Sequence, residues 1–453
     1  MRNAINLILI FGCAMTGFAR EEYRRDFQKS ARLAAGRSFR IESSNGNINI
    51  HTQAANDVTI RATIRCSADT AAEARSFAEQ IQIVVDESSG GVSVRTEYPK
   101  TWNHRNLGYS VEYDITMPET ALLDLRNRFG SVSVANPHAA GVINNSNGKV
   151  SLWGGRGRQE IDNAFGEVDV RTNDGDLVVR NNNGAVIAAD VSGTVEITNR
   201  FAPVRVTNAG HGVTIHSNNG QIEAENAGGP VAITNSFGSV VVADVKADVT
   251  VRNENGEVRA TGIAGSADLH NTFSRVSFSR IGKGLTVRAS NAVVTGDTVG
   301  ANADVETTFG GVEIHGVKGG ARVTSGNSAI RLTGVGGEAY AKTSFAGVTI
   351  TDAAGPITVE NQNGSVTVEE KSGQRCQPIS LRTSFSPIRV TVPGGAGYNV
   401  TAHTSFGRIR SEHEMTVSGD MTPDSLTGKI AGGGCDLRLM DQNGAIDILK
   451  SGK

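Results

Sequence analysis

The sequence predicts an all-β chain, a two-sheeted parallel β-solenoid with 18-residue coils that should wind right-handed, preceded by a small α+β cap. Three observations predict it. A residue placed just before a small turn residue alternates between Phe and Asn every 18 positions, without an insertion from Phe129 to Asn363. Apolar residues recur at fixed places in nine-residue units. Glycine is abundant (54 residues) while aromatic residues make up only 5%, which suits a thin core with many tight turns. A fixed register of this kind means near-identical rungs stacked on one another.

From the N-terminus, residues 1–19 read as an export signal. Arg2 is a minimal basic start, Ile5 to Met15 is apolar, and Gly17-Phe18-Ala19 offers a small-x-small cleavage site. Ile10-Phe11-Gly12-Cys13 also has the form of a lipoprotein box, so a lipid anchor at Cys13 stays open beside soluble export. Residues 20–35 read as a linker. No other segment approaches transmembrane length.

Residues 36–126 read as the α+β cap. Arg40-Ile41-Glu42, Asn47-Ile48-Asn49-Ile50 and Val58-Thr59-Ile60 alternate like half-buried strands. Thr70-Ala71-Ala72-Glu73 is a capping box that opens a short helix through about Gln80. Strands resume at Ile81–Val85, Val92–Thr96 and Tyr109–Thr116, with a loop from Tyr98 to Leu107.

Residues 127–369 form the regular array, written as NSFGSVVVA, DVKADVTVR, NENGEVRAT, GIAGSADLH around one turn. Positions six and eight are apolar in nearly every unit, which puts both on one face of a strand. In alternate units position two is apolar as well (Val191, Val245, Ile263, Ile281, Val299, Val317), with a small residue at position four that marks a corner. Two units make one coil of two strands and two turns.

Position three of the other units carries the Phe/Asn column: Phe129, Asn147, Phe165, Asn183, Phe201, Asn219, Phe237, Asn255, Phe273, Asn291, Phe309, Asn327, Phe345 and Asn363. The simplest expectation makes each Phe a buried filler at a corner and each Asn a turn former whose amide bonds the local backbone. The competing expectation is an exposed aromatic strip for sugar stacking. At position four Ala202, Ser274, Ala292, Ser328 and Ala346 replace glycine, so close packing is expected to matter more there than a positive φ.

Residues 370–453 read as irregular coils and a C-terminal cap. Phe385 and Phe406 return after insertions, Asn443-Gly444 closes the series, and 413–440 carries no repeat. An open last rung would offer unpaired backbone groups, so this segment is expected to cover it. Export permits a bridge between Cys376 and Cys435, with separate buried thiols as the alternative.

Other architectures fit less well. Left-handed hexapeptide helices need an apolar residue every six. Calcium-bound nonapeptide rolls need Asp at position six, where this chain has Val or Ile. A β-propeller with 36-residue blades is the remaining alternative, against which stands the likeness of adjacent 18-residue halves.

Chemistry is sparse. Net charge is −2 with acids and bases mixed, which gives no footprint for nucleic acid. His216 and His270 fall three coils apart and make no metal-ligand spacing. Glu167, Asp169, Glu196, Glu223 and Glu313 fall on outward positions without forming a column. No phosphate-cradling loop occurs, and Asp441-Gln442-Asn443-Gly444 is only a fragment of a calcium loop. No catalytic residue, cofactor or metal ligand is therefore expected.

The order of pieces resembles the bacterial putative-adhesin family, the toastrack-type β-solenoids of the cell envelope, whose function is unknown. The likeness lies in Phe39-Arg40-Ile41-Glu42-Ser43-Ser44-Asn45-Gly46-Asn47-Ile48 and in Tyr109-Ser110-Val111-Glu112-Tyr113-Asp114-Ile115-Thr116-Met117-Pro118. It continues through the Asn-x-Phe/Asn-Gly-x-Val-x-Val rungs to Val392-Pro393-Gly394-Gly395-Ala396-Gly397-Tyr398 and Thr404-Ser405-Phe406-Gly407. The resemblance implies an exported protein of the periplasm, outer membrane or cell surface, without established catalytic residues. Its partner would be an envelope component, glycan or protein. A polysaccharide-acting enzyme and an envelope-stress scaffold are the alternatives.

Overall fold

The computed structural model describes residues 20–99, 106–370, 375–418 and 422–451. The export signal and Cys13 lie outside the described residues. The chain divides into two compact units, through Ala135 and from Asn136 onward.

In the first unit, residues 20–35 are not a linker. They form strand β1 (Glu21–Arg32), paired antiparallel along its length with β4 (Asp57–Ala68). The alternation that makes this a strand is weak in the sequence, because Arg25 and Lys29 share the face of Tyr23, Phe27 and Ala31. Strands β2 (Ser38–Asn45) and β3 (Ile48–Gln53) are joined through Gly46 at a corner. The helix α1 (Ala71–Gln80) starts as its capping box requires, with the Thr70 hydroxyl accepting from the Glu73 amide at 3.2 Å. It buries Ala74, Phe77 and Ala78. Then follow β5 (Gln82–Ser88), β6 (Gly91–Glu97), β7 (Gly108–Pro118), β8 (Leu122–Phe129) and β9 (Val132–Ala135).

The first unit is already built of solenoid coils. In one sheet β2 pairs in parallel with β6 on one side and β8 on the other. In the second sheet β3 lies in parallel between β7 and β9. The coil made first in sequence is thus the middle one in space. Antiparallel neighbours then close both outer edges, β5 on β6 and β4 then β1 on β7. Those additions block continuation of the parallel stack, which an exposed edge would otherwise template.

The second unit is the array. Strands 18 residues apart pair in parallel without a slip, as in Val231↔Val249↔Ala267 in one sheet and Val240↔Val258↔Val276 in the other. This makes a two-sheeted β-solenoid with 18-residue coils and not a barrel. A propeller blade would pair successive strands antiparallel, so the propeller alternative falls. The β-branched columns at position six are fully buried, each side chain contributing roughly 1.5–3 kcal/mol.

The two strands of a coil are made differently. In Val249–Asn255, burial alternates at Val249, Val251 and Asn253. In Val258–Ile263, the inward residues are Val258, Ala260 and then Ile263, a step of three. The residue before that last one has left-handed geometry, Gly262 here (φ 68°), Asp244 (φ 53°) and Asn226 (φ 55°) in preceding coils. This one kinked residue per coil shifts the alternation so that position two turns inward.

The C-terminal region mirrors the first unit. The last two strands, Cys435–Met440 and Ile446–Ser451, insert between earlier coils. Ile379–Arg382 and Tyr398–His403 flank the former in parallel, and Ile388–Pro393 and Ile409–Ser411 flank the latter. Cys376 and Cys435 are joined by a disulfide. The segment expected to cover the last rung does so in one sheet, where Ser425–Ile430 adds antiparallel to Tyr398–His403 and Met415–Val417 adds to it.

Candidate functional site

The corner that carries the Phe/Asn column is held by the residue two before it. In Asn253 the side chain points into the core and its amide nitrogen donates to the carbonyls of Gly256 (3.1 Å) and Gly238 (3.2 Å). One bond closes the turn and the other reaches the preceding coil. The same pair recurs at Asn163, Asn181, Asn199, Asn235 and Asn361. Where Thr takes the place, its hydroxyl reaches the preceding coil, from Thr343 to Ser328 (3.0 Å) and from Thr404 to Gly444 (2.9 Å).

This ladder overturns the expected burial of the phenylalanines. The Asn amide already fills the end of the core, and the chain turns immediately after it. A ring at position three has inward parity but no interior left to enter. From Phe165 to Phe345 the rings are 47–64% exposed, and Phe385 and Phe406 are exposed too. In the first unit Phe129 is likewise exposed and pairs with Asn45. Asn363 and Asn255 also differ from the expected turn formers: their amides donate to Ser344 (3.2 Å) and Ser236 (3.5 Å) of the adjacent coil, not to their own turns.

Close backbone approach sets the small residue that follows. A Cβ on Gly166 (φ 128°) would fall 2.2 Å from the Gly148 carbonyl oxygen one coil away.

Within the second unit the column runs Asn147, Phe165, Asn183 and, from Phe201 on, Asn219, Phe237, Asn255, Phe273, Asn291, Phe309, each beside the next in register. At about 4.8 Å per strand, successive rings stand roughly 10 Å apart. Asn327, Phe345 and Asn363 continue the series. At the C-terminal end the sequence order fails, since Phe385 and Phe406 follow one another. In space Phe385 bonds the coil of Asn363 through the Gln362 carbonyl, Asn443 bonds Ser384, and Phe406 bonds Gln442. The inserted coil therefore restores the order Phe345, Asn363, Phe385, Asn443, Phe406.

Beside Phe237, Phe273 and Phe309 runs an open groove of about 600 Å³. Ser236, Glu254, Thr272, Ser290 and Thr308 line the side nearest the rings, and Arg252, His270, Arg288 and Glu306 the far side. Some of its charges are matched in or beside it: Arg288 meets Glu306 (3.4 Å) within the groove and Asp304 (2.9 Å) next to it, and His270 meets Asp268 (3.0 Å), while the lining residues Arg252 and Glu254 are of opposite sign and stand outside these pairs. The hydrogen bond that Arg288 donates to Asp304 raises the Arg288 pKa despite partial burial. His216 and His270 share this outward row, separated by Thr234 and Arg252.

The outward acids do not converge. Glu167 meets Lys149 (2.7 Å), Asp169 meets Arg171 (2.9 Å), Glu223 meets Arg205 (2.6 Å) and Glu313 meets Arg331 (3.5 Å). Glu196 stands exposed on the opposite sheet from those four. Among the described residues, no three His, Cys, Asp or Glu side chains converge as metal ligands. No described helix is long and apolar enough to cross a membrane.

Sequence reasoning missed the buried Asn ladder and the inserted last coil. The ladder had a signal, Asn at position one recurring with the same period as the column. The insertion had none beyond the broken Phe, Phe, Asn order.

No protein-family profile matches the chain, and no curated protein matches it. Two solved structures align with it. One is a putative cell adhesion protein from Clostridium sporogenes, 8% identical over 95% of this chain and 100% of the other, with a TM-score of 0.16. The second is a putative adhesin from Bacteroides fragilis, 12% identical over 62% of this chain and 97% of the other, with a TM-score of 0.21.

Proposed function

We infer that the chain is an exported, non-enzymatic, adhesion-type solenoid of the bacterial envelope, which engages a partner along the Phe/Asn column. The observation that carries this reading is the exposure of the rings. Large aromatic side chains repeated on a surface, at places where the fold does not bury them, are typical of contact faces. The rest of the molecule is consistent with a scaffold for such a face, since each coil presents the same corner at the same height.

A polysaccharide-cleaving activity would call for two carboxylates facing one another across a cleft. Glu167, Asp169, Glu223 and Glu313 each sit against a cation, and Glu196 lies on the opposite sheet from them. The binding reading is therefore preferred.

The test is retention of the purified chain on envelope preparations, compared with a Phe237→Ala, Phe273→Ala, Phe309→Ala variant. Loss of retention in the variant, with an unchanged circular dichroism spectrum, supports the reading. Equal retention of both proteins would refute it.

A further inference from the structure

We propose that the partner is a neutral, extended, β-1,4-linked polysaccharide lying across the rungs, with every second sugar ring stacked on a phenylalanine. This deepens the binding-face reading and rests on it.

The exposed rings of the alternation need an explanation outside the fold. Turn closure belongs to the buried Asn ladder, and both residue types at position three stand at the surface. The side-chain amides of Asn255, Asn363 and Asn443 reach the preceding coil, whereas the exposed Phe rings fill no interior space. Yet the order survives at the C-terminal end, where the chain leaves its sequential path and Asn443 comes back between Phe385 and Phe406. A pattern kept in space rather than in sequence is one that an object touching the surface can read.

The period identifies that object. Rings recur every two rungs, roughly 10 Å apart. In a β-1,4-linked pyranose chain each sugar is turned about half a revolution from its neighbour, so the same face recurs at every second ring, on the same length scale. The C–H face of such a ring suits a phenylalanine, and its edges carry hydroxyls that both donate and accept. Ser236, Thr272, Ser290 and Thr308 offer matching neutral groups along one side of the rings, with Glu254 an added acceptor in the same row. The intervening Asn amides interrupt the apolar strip at every second rung, which suits a ligand of alternating faces better than a lipid surface. Charge points to a neutral polymer, because Arg288 and His270 already meet carboxylates within or beside the groove and the remaining lining charges, Arg252 and Glu254, are of opposite sign.

The experiment is affinity electrophoresis of the full chain in gels holding hydroxyethylcellulose as the β-1,4-linked probe and dextran as the α-linked control. Retardation by hydroxyethylcellulose alone is expected. The Phe237→Ala, Phe273→Ala, Phe309→Ala variant should weaken it at least about tenfold, while Trp153→Ala, an exposed aromatic outside the column, should leave it unchanged. Equal retardation by dextran, or equal retardation of the triple variant, would overturn the glycan assignment. If hydroxyethylcellulose has no effect but the triple variant still loses envelope retention, the glycan assignment falls and the binding face stands. A concentration-dependent dimer that the triple substitution abolishes, without glycan retardation, would instead make a second copy the occupant and overturn the proposal.

Discussion

Asn443 is bonded to Ser384 twice, through its backbone amide (3.0 Å) and its side-chain amide (2.9 Å), although 59 residues separate them. That contact fixes the corner of the last coil onto the corner that carries Phe385. The disulfide between Cys376 and Cys435 ties the start of the same coil to the loop ahead of its neighbour. The terminal coil is therefore held at its start and at its corner, between strands that would otherwise face an empty slot.

Removing the disulfide should loosen this coil before anything else. Stability in a stacked array is a sum over neighbours, so the loss stays local. Cys376→Ser with Cys435→Ser should cost the C-terminal region about 2–4 kcal/mol. Amide hydrogen exchange would show it as reduced protection of Ile446 and Ile448, with Val249 and Val251 unchanged. Unaltered protection at Ile446 would contradict the account.

The Asn ladder and the Phe column should respond oppositely to truncation. Asn253→Ala leaves the Gly238 and Gly256 carbonyls short of a donor in a buried corner, which costs roughly 1–3 kcal/mol. Asn253→Thr should cost less, because Thr343 fills the same place elsewhere. Phe237→Ala should change stability by less than about 0.5 kcal/mol, as for an ordinary surface site. Chemical denaturation of the three variants checks the order, and a larger loss for Phe237→Ala than for Asn253→Ala would refute it.

The sequence makes the coil legible because strand alternation and an 18-residue period leave a single way to stack Val240, Val258 and Val276. The helix at Ala71 is legible from Thr70 and Glu73 alone, since a cap is a local device. Phe237 is misread because its parity is inward: alternation tells which face a residue is on, but not where along the strand the core ends. That limit is set by the amide of Asn235, a contact between neighbouring coils. Strand β1 is missed for a related reason, since it is ordered by contacts distant in sequence, its pairing with β4 and the bonds from Arg25 and Lys29 to Ile81 and Val85. The candidate site was named residue by residue, yet its exposure, on which the functional reading turns, depends on packing that no local pattern reports.

The kinked residue of each coil offers a stabilising change. Thr298 holds φ at 58°, a region that β-branched residues occupy only at a cost, whereas Gly262, Gly316 and Gly334 hold the same place without strain. Thr298→Gly should stabilise its coil by roughly 1 kcal/mol after the larger unfolded-state entropy of glycine is deducted. The exposed hydrogen bond from Thr298 to Asp297 that disappears is worth little by comparison. Thr295→Gly, in extended backbone of the same strand, should destabilise. Thermal melts of the two variants moving in the same direction would refute the assignment.

Glu370 makes the C-terminal region sensitive to pH. Its carboxyl is buried, the Tyr398 hydroxyl donates to one oxygen at 2.8 Å, and the other oxygen has no partner among the described residues. Burial pushes its pKa up to about 7, and the Tyr398 hydrogen bond offsets only part of that. The folded form thus holds its proton over a range where the unfolded chain, near 4.5, has released it. Protons bound in excess by the folded state mean that stability falls as pH rises through this window. The loss should start near pH 4.5, accumulate at roughly 1.4 kcal/mol per unit and level off above pH 7, at about 3 kcal/mol in all. Glu370→Gln keeps the acceptor for Tyr398 and removes the charge, so it should match the parent at pH 4.5 and exceed it at pH 8. Hydrogen exchange at Val400 against pH measures both, and a parent whose protection there rises from pH 5 to pH 8 would sink the assignment.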